Sequence, residues 1–180
     1  MKLGVTGHQR LRPPASWDWV RAELRKLLAM HAEREGAAIT SLAAGADQEF
    51  ADEALTAGVP VHVVLPCCGY ELAFENDADV LRFQALLEEA SYVTMLQHAA
   101  PSEQAFLEAG RCIVDASELL IAIWDGEPSR GPGGTGDIVS YAKYRGKAVV
   151  HVDPYRQRVT EVRAKREHHP AQPRKPRRRS

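Results

Sequence analysis

Three stretches of this chain put small, polar and charged residues directly after apolar runs. They are Thr6-Gly7-His8-Gln9-Arg10, Ala43-Ala44-Gly45-Ala46-Asp47, and the longer span from Asp125-Gly126 to Gly131-Pro132-Gly133-Gly134-Thr135-Gly136-Asp137. Glycine lets a phosphate or a ribose approach the backbone without a Cβ in the way. A helix opening near Thr135 would also turn its N–H groups and positive dipole end toward an anion. His8 can bond a phosphate or a base, or stabilise its own turn. Arg10 can neutralise phosphate charge or stand in solvent. Asp47 suits a helix cap or a ribose hydroxyl. Trp124 fits either the core or a stack on a base, and Asp125, beside a glycine at a strand end, fits a ribose or base contact. Pro66 stops a third apolar run and completes the candidate ligand set.

These residues need strands that end where they begin. Residues 2–6, 37–42, 59–65, 119–124 and 147–152 read as short buried strands, and 92–96 as a short strand or extended segment. Between them, apolar residues recur at helical spacing: Trp17, Val20, Leu24, Leu27 and Leu28 after the Ser16 cap; Phe50, Ala54 and Leu55; and Phe106, Gly110, Ile113 and Val114. Residues 79–89 and 135–145 complete the helices. Nearly all-apolar strands alternating with amphipathic helices specify an α/β fold: one doubly wound, three-layer, Rossmann-like parallel sheet. In such sheets ligands bind beyond the carboxyl ends of the strands, near the point where strand order reverses. Three small-residue loops there imply a ligand site.

Composition narrows the function classes. The 180 residues are 44% hydrophobic and 26% charged, ordinary for one globular domain. Apolar runs are far shorter than a membrane span, and the N-terminus lacks a secretory hydrophobic region, so a cytoplasmic location is expected. Cys67 and Cys68 are adjacent, with Cys112 the third cysteine; all three read as reduced, and no metal is implied. The net charge of −1 conceals a division: residues 1–153 hold 13 basic and 22 acidic residues, whereas 154–180 hold 10 and 2. The expected organisation is a nucleotide-binding domain over 1–153 and a basic, disordered tail over 154–180, with a helical turn conceivable at 160–167. Nucleic acid could be attracted by the tail, but the acidic body disfavours it.

Gly131-x-Gly133-x-x-Gly136 matches the dinucleotide fingerprint by letter, with Asp153 at the end of the next strand. In that fingerprint the first glycine follows its strand directly. Here six residues separate Trp124 from Gly131, which argues against an NAD(P) dehydrogenase.

The motifs and their order over residues 2–152 resemble the SLOG superfamily of Rossmann-like proteins, which groups DNA-processing Smf proteins, Lonely Guy phosphoribohydrolases and nucleotide-sensing domains. Gly4-Val5-Thr6-Gly7-His8-Gln9 is similar to the opening of the sensor branch. Ser41-Leu42-Ala43-Ala44-Gly45-Ala46-Asp47 is similar to a motif shared with the DNA-processing branch, and Leu120–Gly126 with Gly133–Asp137 to the last glycine-rich region. The resemblance implies a nucleotide-like ligand, no required cofactor, and relatives that commonly pair as homodimers. Its Lonely Guy branch implies N-glycoside hydrolysis by an arginine and a motif glutamate. Ser140 stands at that glutamate's place, so Asp137 and Arg111 are the catalytic candidates if the protein is an enzyme. A sensor of a nucleotide or an NAD-derived molecule such as ADP-ribose is the leading expectation, with the hydrolase and a nucleic-acid-binding module as alternatives.

Overall fold

The computed structural model describes residues 1–31, 36–129 and 133–162. Among the described residues seven strands and five helices alternate up to β6, which is followed directly by β7: β1 (Lys2–Gly7), α1 (Trp17–His31), β2 (Ala37–Thr40), α2 (Ala46–Thr56), β3 (Val61–Leu65), α3 (Asp77–Glu88), β4 (Tyr92–Met95), α4 (Glu103–Ala116), β5 (Leu119–Ile123), α5 (Thr135–Tyr144), β6 (Ala148–Asp153) and β7 (Arg158–Val162). A single turn of 3-10 helix, Tyr70–Ala73, precedes α3. The strands form one sheet in the order β4-β3-β2-β1-β5-β6-β7. All adjacent pairs are parallel except β6 and β7, which run antiparallel. The fold is therefore the expected Rossmann-like α/β sheet, with an antiparallel strand added at one edge.

Every residue of β5 is buried, because helices cover both faces of the sheet at its centre. Leu119, Ile121 and Ile123 point into the larger core with Leu3, Val5, Val20, Leu24 and Phe50. The alternate residues Leu120 and Ala122 pack with Val114, Ile138, Val139 and Ala142 on the opposite face. Thus α1 and α2 lie on one side, α4 and α5 on the other, each anchored by the period-two alternation of the strands.

The α1–α2–α3 layer is tied by charge. Arg21 Nε and Arg82 Nη1 reach the two oxygens of buried Glu49 at 2.7 and 2.8 Å. Arg82 also pairs with Asp52, and Arg25 forks onto Glu53 at 2.7 and 2.8 Å. Burial pushes the Glu49 carboxyl up, but the two guanidiniums outweigh it and hold it below its ordinary value.

Regular structure continues beyond residue 153. Residues 154–157 form a turn, and β7 pairs with β6 from Asp153↔Arg158 to Val149↔Val162. The turn is held by buried Asp153, whose Oδ1 accepts from the Tyr155 and Arg156 N–H groups at 3.0 Å each, while Oδ2 meets Arg156 Nη1 at 2.8 Å. Residues 160–162 are strand, not helix. The rest of the expected tail, 163–180, lies outside the described residues.

Candidate ligand pocket

Strand order reverses between β1 and β5. The chain steps outward from β1 to β4, then returns through α4 to lay β5 on the other side of β1. Above that point, at the carboxyl ends of the strands, lies a cavity of about 930 Å³. Its floor and near walls come from Thr6-Gly7-His8-Gln9-Arg10 after β1, from Ala43, Ala44 and Asp47 after β2, and from Pro66 after β3. Trp124 and Asp125 after β5 and Gly133–Gly136 at the start of α5 close the other side. A ligand-sized cavity at the switch point of an open α/β sheet is the expected place for a small-molecule site.

Several predicted residues shape the cavity instead of lining it. Gly45 has φ +78°, and its Cα lies against the carbonyl groups of His8 and Gln9, where no Cβ fits. The Ala46 N–H donates to His8 O at 3.0 Å. These contacts dock the first loop onto the start of α2. Asp47 borders the cavity, but its carboxylate turns inward: Oδ2 accepts from Thr40 Oγ1 at 2.9 Å, Ser41 N at 3.0 Å and Ser41 Oγ at 2.9 Å. Burial pushes its carboxyl up against the effect of these bonds. The geometry makes Asp47 the brace of the second loop.

His8 and Asp125 join the two central loops. The His8 N–H donates to Ile123 O at 2.9 Å. Its Nε2 lies 3.2 Å from the Asp125 N–H, which can donate to it, and 3.3 Å from Asp125 Oδ2. Asp125 Oδ1 accepts from the Glu127 N–H at 3.0 Å, forming a tight turn. Trp124 is half-buried, its indole N–H donating to Glu127 O at 2.8 Å and its ring tilted against His151. Arg10 is held by Glu75 and Asp79 at 3.2 and 2.9 Å. Gly126, at φ +89°, is exposed and stands off the cavity.

The glycine-rich loop is described from Gly133 onward; Gly131 and Pro132 lie outside the described residues. Gly133 adopts φ +81°, with its Cα close to the backbone of α4 at Leu107. Asp137 is exposed: its Oδ2 accepts from the Gly133 N–H at 3.2 Å, and its N–H donates to Ser129 Oγ at 3.0 Å. Arg111 is placed elsewhere, stacked 5.2 Å above the ring of Tyr141 and outside the lining. The two catalytic candidates are not brought together in the cavity. Ser140 donates its hydroxyl to Gly136 O at 2.8 Å, inside its own helix.

The cavity also contains residues the sequence did not point to. Tyr155 and Arg156 enter from the β6–β7 turn. Tyr155 accepts from the Arg12 N–H at 3.2 Å, and Arg156 Nη1 donates to Asp125 O at 3.2 Å. Tyr70, Phe74 and Phe106 form an aromatic wall with ring centroids 5.3 to 6.0 Å apart. Burial pushes the Tyr70 phenol up. The one signal available was the β-branched set Val159, Thr160 and Val162, which favours a strand and hence a turn before it.

No protein-family model matches the chain, and no curated protein matches it in sequence. Solved structures share its architecture, among them the following three. The single-stranded-DNA-binding DNA processing protein A from Helicobacter pylori aligns with TM-score 0.60 and 16% identity over 85% of this chain and 65% of its own. DNA processing protein A (DprA) from Streptococcus pneumoniae aligns with TM-score 0.57 and 18% identity over 84% and 50%. TM1055, a structural-genomics target, aligns with TM-score 0.51 and 17% identity over 82% and 71%. This chain thus spans about two thirds and one half of the two DNA-processing structures. At these identities the likeness concerns the fold alone: the chain carries a Rossmann-like fold shared with DprA and TM1055.

Proposed function

We propose that the cavity binds a nucleotide or an NAD-derived small molecule, and that the protein acts as its sensor. The observation that carries this reading is the convergence of three small-residue loops and the α5 N-terminus on one cavity of about 930 Å³ at the switch point. That volume lies at the upper end of the range for small-molecule sites. The aromatic wall suits a base, and Asp125 suits a ribose hydroxyl. Binding without turnover is favoured over N-glycoside hydrolysis by the placement of the catalytic candidates. Arg111 is engaged with Tyr141, Asp137 with the Gly133 N–H, and Ser140 with its own helix. The DNA binding named for the Helicobacter pylori structure ranks lower, because carboxylates outnumber arginines around the cavity.

A thermal-shift panel of AMP, NAD, ADP-ribose, cyclic ADP-ribose and cyclic nucleotides tests the proposal. A ligand at a hundredfold excess over its Kd stabilises the native state by about 2.7 kcal/mol, a shift of roughly 5–10 °C for a domain of this size. No shift with any of them refutes the reading. Base release above a heat-inactivated control would replace the sensor with a hydrolase.

A further inference from the structure

We infer, building on the ligand reading above, that the pocket selects its ligand by charge, preferring neutral or charge-offset ribosylated bases over those whose phosphate charge is uncompensated. Among the described lining residues, three arginines face six carboxylates, a net of −3. Asp47 is turned inward, yet even without it five carboxylates remain against the three arginines.

The arginines are largely committed. Arg10 is neutralised by Glu75 and Asp79 at 3.2 and 2.9 Å, and Arg156 by Asp153 at 2.8 Å. Arg12 alone of the three has no carboxylate partner among the described residues, so the wall offers one uncommitted cation. Two further carboxylates, Glu103 on α4 and Glu127 after β5, face the cavity with no ion-pair partner among the described residues. The start of α5 is also occupied. The Gly133 N–H, just ahead of α5, already donates to the Asp137 carboxylate at 3.2 Å. A resident anion at a helix N-terminus competes with a phosphate for the same dipole.

A ligand bringing two unbalanced phosphate charges therefore meets one available guanidinium and a surplus of carboxylates. A nucleoside brings none. NAD brings two phosphates but offsets one with its pyridinium ring, which a carboxylate-rich wall favours. ADP-ribose has the same two phosphates with a hydroxyl in place of the nicotinamide, so NAD and ADP-ribose differ by one aromatic ring and its positive charge, and the salt and variant arms isolate the charge. One extra charge at about 6 Å, at an effective dielectric between those of protein surface and water, changes affinity about tenfold.

The test is calorimetric titration of the full chain with adenosine, AMP, NAD and ADP-ribose at low and high salt, repeated with the E103Q/E127Q double variant. The expected result is that NAD binds about tenfold more tightly than ADP-ribose, and adenosine more tightly than AMP. Both gaps should narrow at high salt, where exposed charges are screened, and in the double variant. ADP-ribose or AMP binding as tightly as its partner at low salt overturns the inference while leaving the nucleotide reading intact. So does a gap that responds to neither salt nor variant, since that marks a steric cause. Failure of all four ligands to bind overturns both.

Discussion

Asp47 separates the two roles its position allows, because a ligand contact and a brace respond oppositely to Asp47→Ala. All three bonds to Oδ2 are lost in this variant: Thr40 Oγ1, Ser41 N and Ser41 Oγ, at 2.9, 3.0 and 2.9 Å. Thr40 is fully buried and Ser41 half-buried, so water cannot fully replace the lost acceptor. A hydrogen bond to a charged group contributes about 1.5–3 kcal/mol, and a buried donor left unpaired costs about 1–3 kcal/mol. The gains do not add in full, since burial penalises the Asp47 carboxylate itself and pushes its carboxyl up. A net loss of about 3 kcal/mol follows, or roughly 6–12 °C in Tm for a domain of this size. Thermal unfolding followed by circular dichroism, with ligand titration well below the variant's midpoint, measures both roles. A Tm within ~2 °C of the parent combined with lost binding would refute the brace and return Asp47 to the ligand.

Arg82→Ala should destabilise the helix layer by about 2 kcal/mol, less than a fully buried pair would lose, because the Arg82 side chain is 34% exposed; chemical denaturation measures it. The Glu49 carboxyl is held low in the fold, so its contribution is fully present above its ordinary value of 4.5 and is lost as pH falls through the lower folded value. Acid unfolding of Arg82→Ala should accordingly begin at higher pH than in the parent, as circular dichroism against pH would report. Ending the chain after Asp153 should unpair β6 and remove Tyr155 and Arg156 from the cavity, abolishing binding and lowering Tm, whereas ending it after Val162 should preserve both. Arg111→Ala should leave ligand affinity within about twofold, because the guanidinium lies on Tyr141 outside the lining; titration calorimetry decides.

The sheet was legible because each central strand is a nearly unbroken apolar run. β5 could be buried only on both faces, and that alone implies a covered parallel sheet. The loops were legible because glycine and alanine after such runs leave room at strand ends. The roles of individual polar residues were not. Whether Asp47 faces a ligand or its own loop depends on where Thr40 and Ser41 place their donors, a relation across a turn that spacing does not encode. Gly45 and Ala46 read as ligand-facing, yet their surroundings are the carbonyls of His8 and Gln9, brought in by a different strand. The β6–β7 turn was hidden by averaging: five residues rich in β-branched side chains, Arg158 to Val162, were absorbed into the composition of a basic segment of 27.

The cavity takes its lining from β1, from the loops after β1, β2, β3 and β5, from the Tyr70–Ala73 turn, from α2, α3, α4 and α5, and from the turn before β7, and no continuous segment contains it. In folding terms, closing it requires contacts between residues as far apart as Arg12 and Tyr155, 143 positions, and such long-range contacts carry the loop-closure entropy that slows folding. Its occupant would then bind only chains that have completed the whole sheet, and would hold distant strands together by mass action. Hydrogen exchange should slow together in β1, β5 and β6 when ligand is added, not at the glycine loops alone. Under the proposed function, ligand occupancy would report on the integrity of the entire domain.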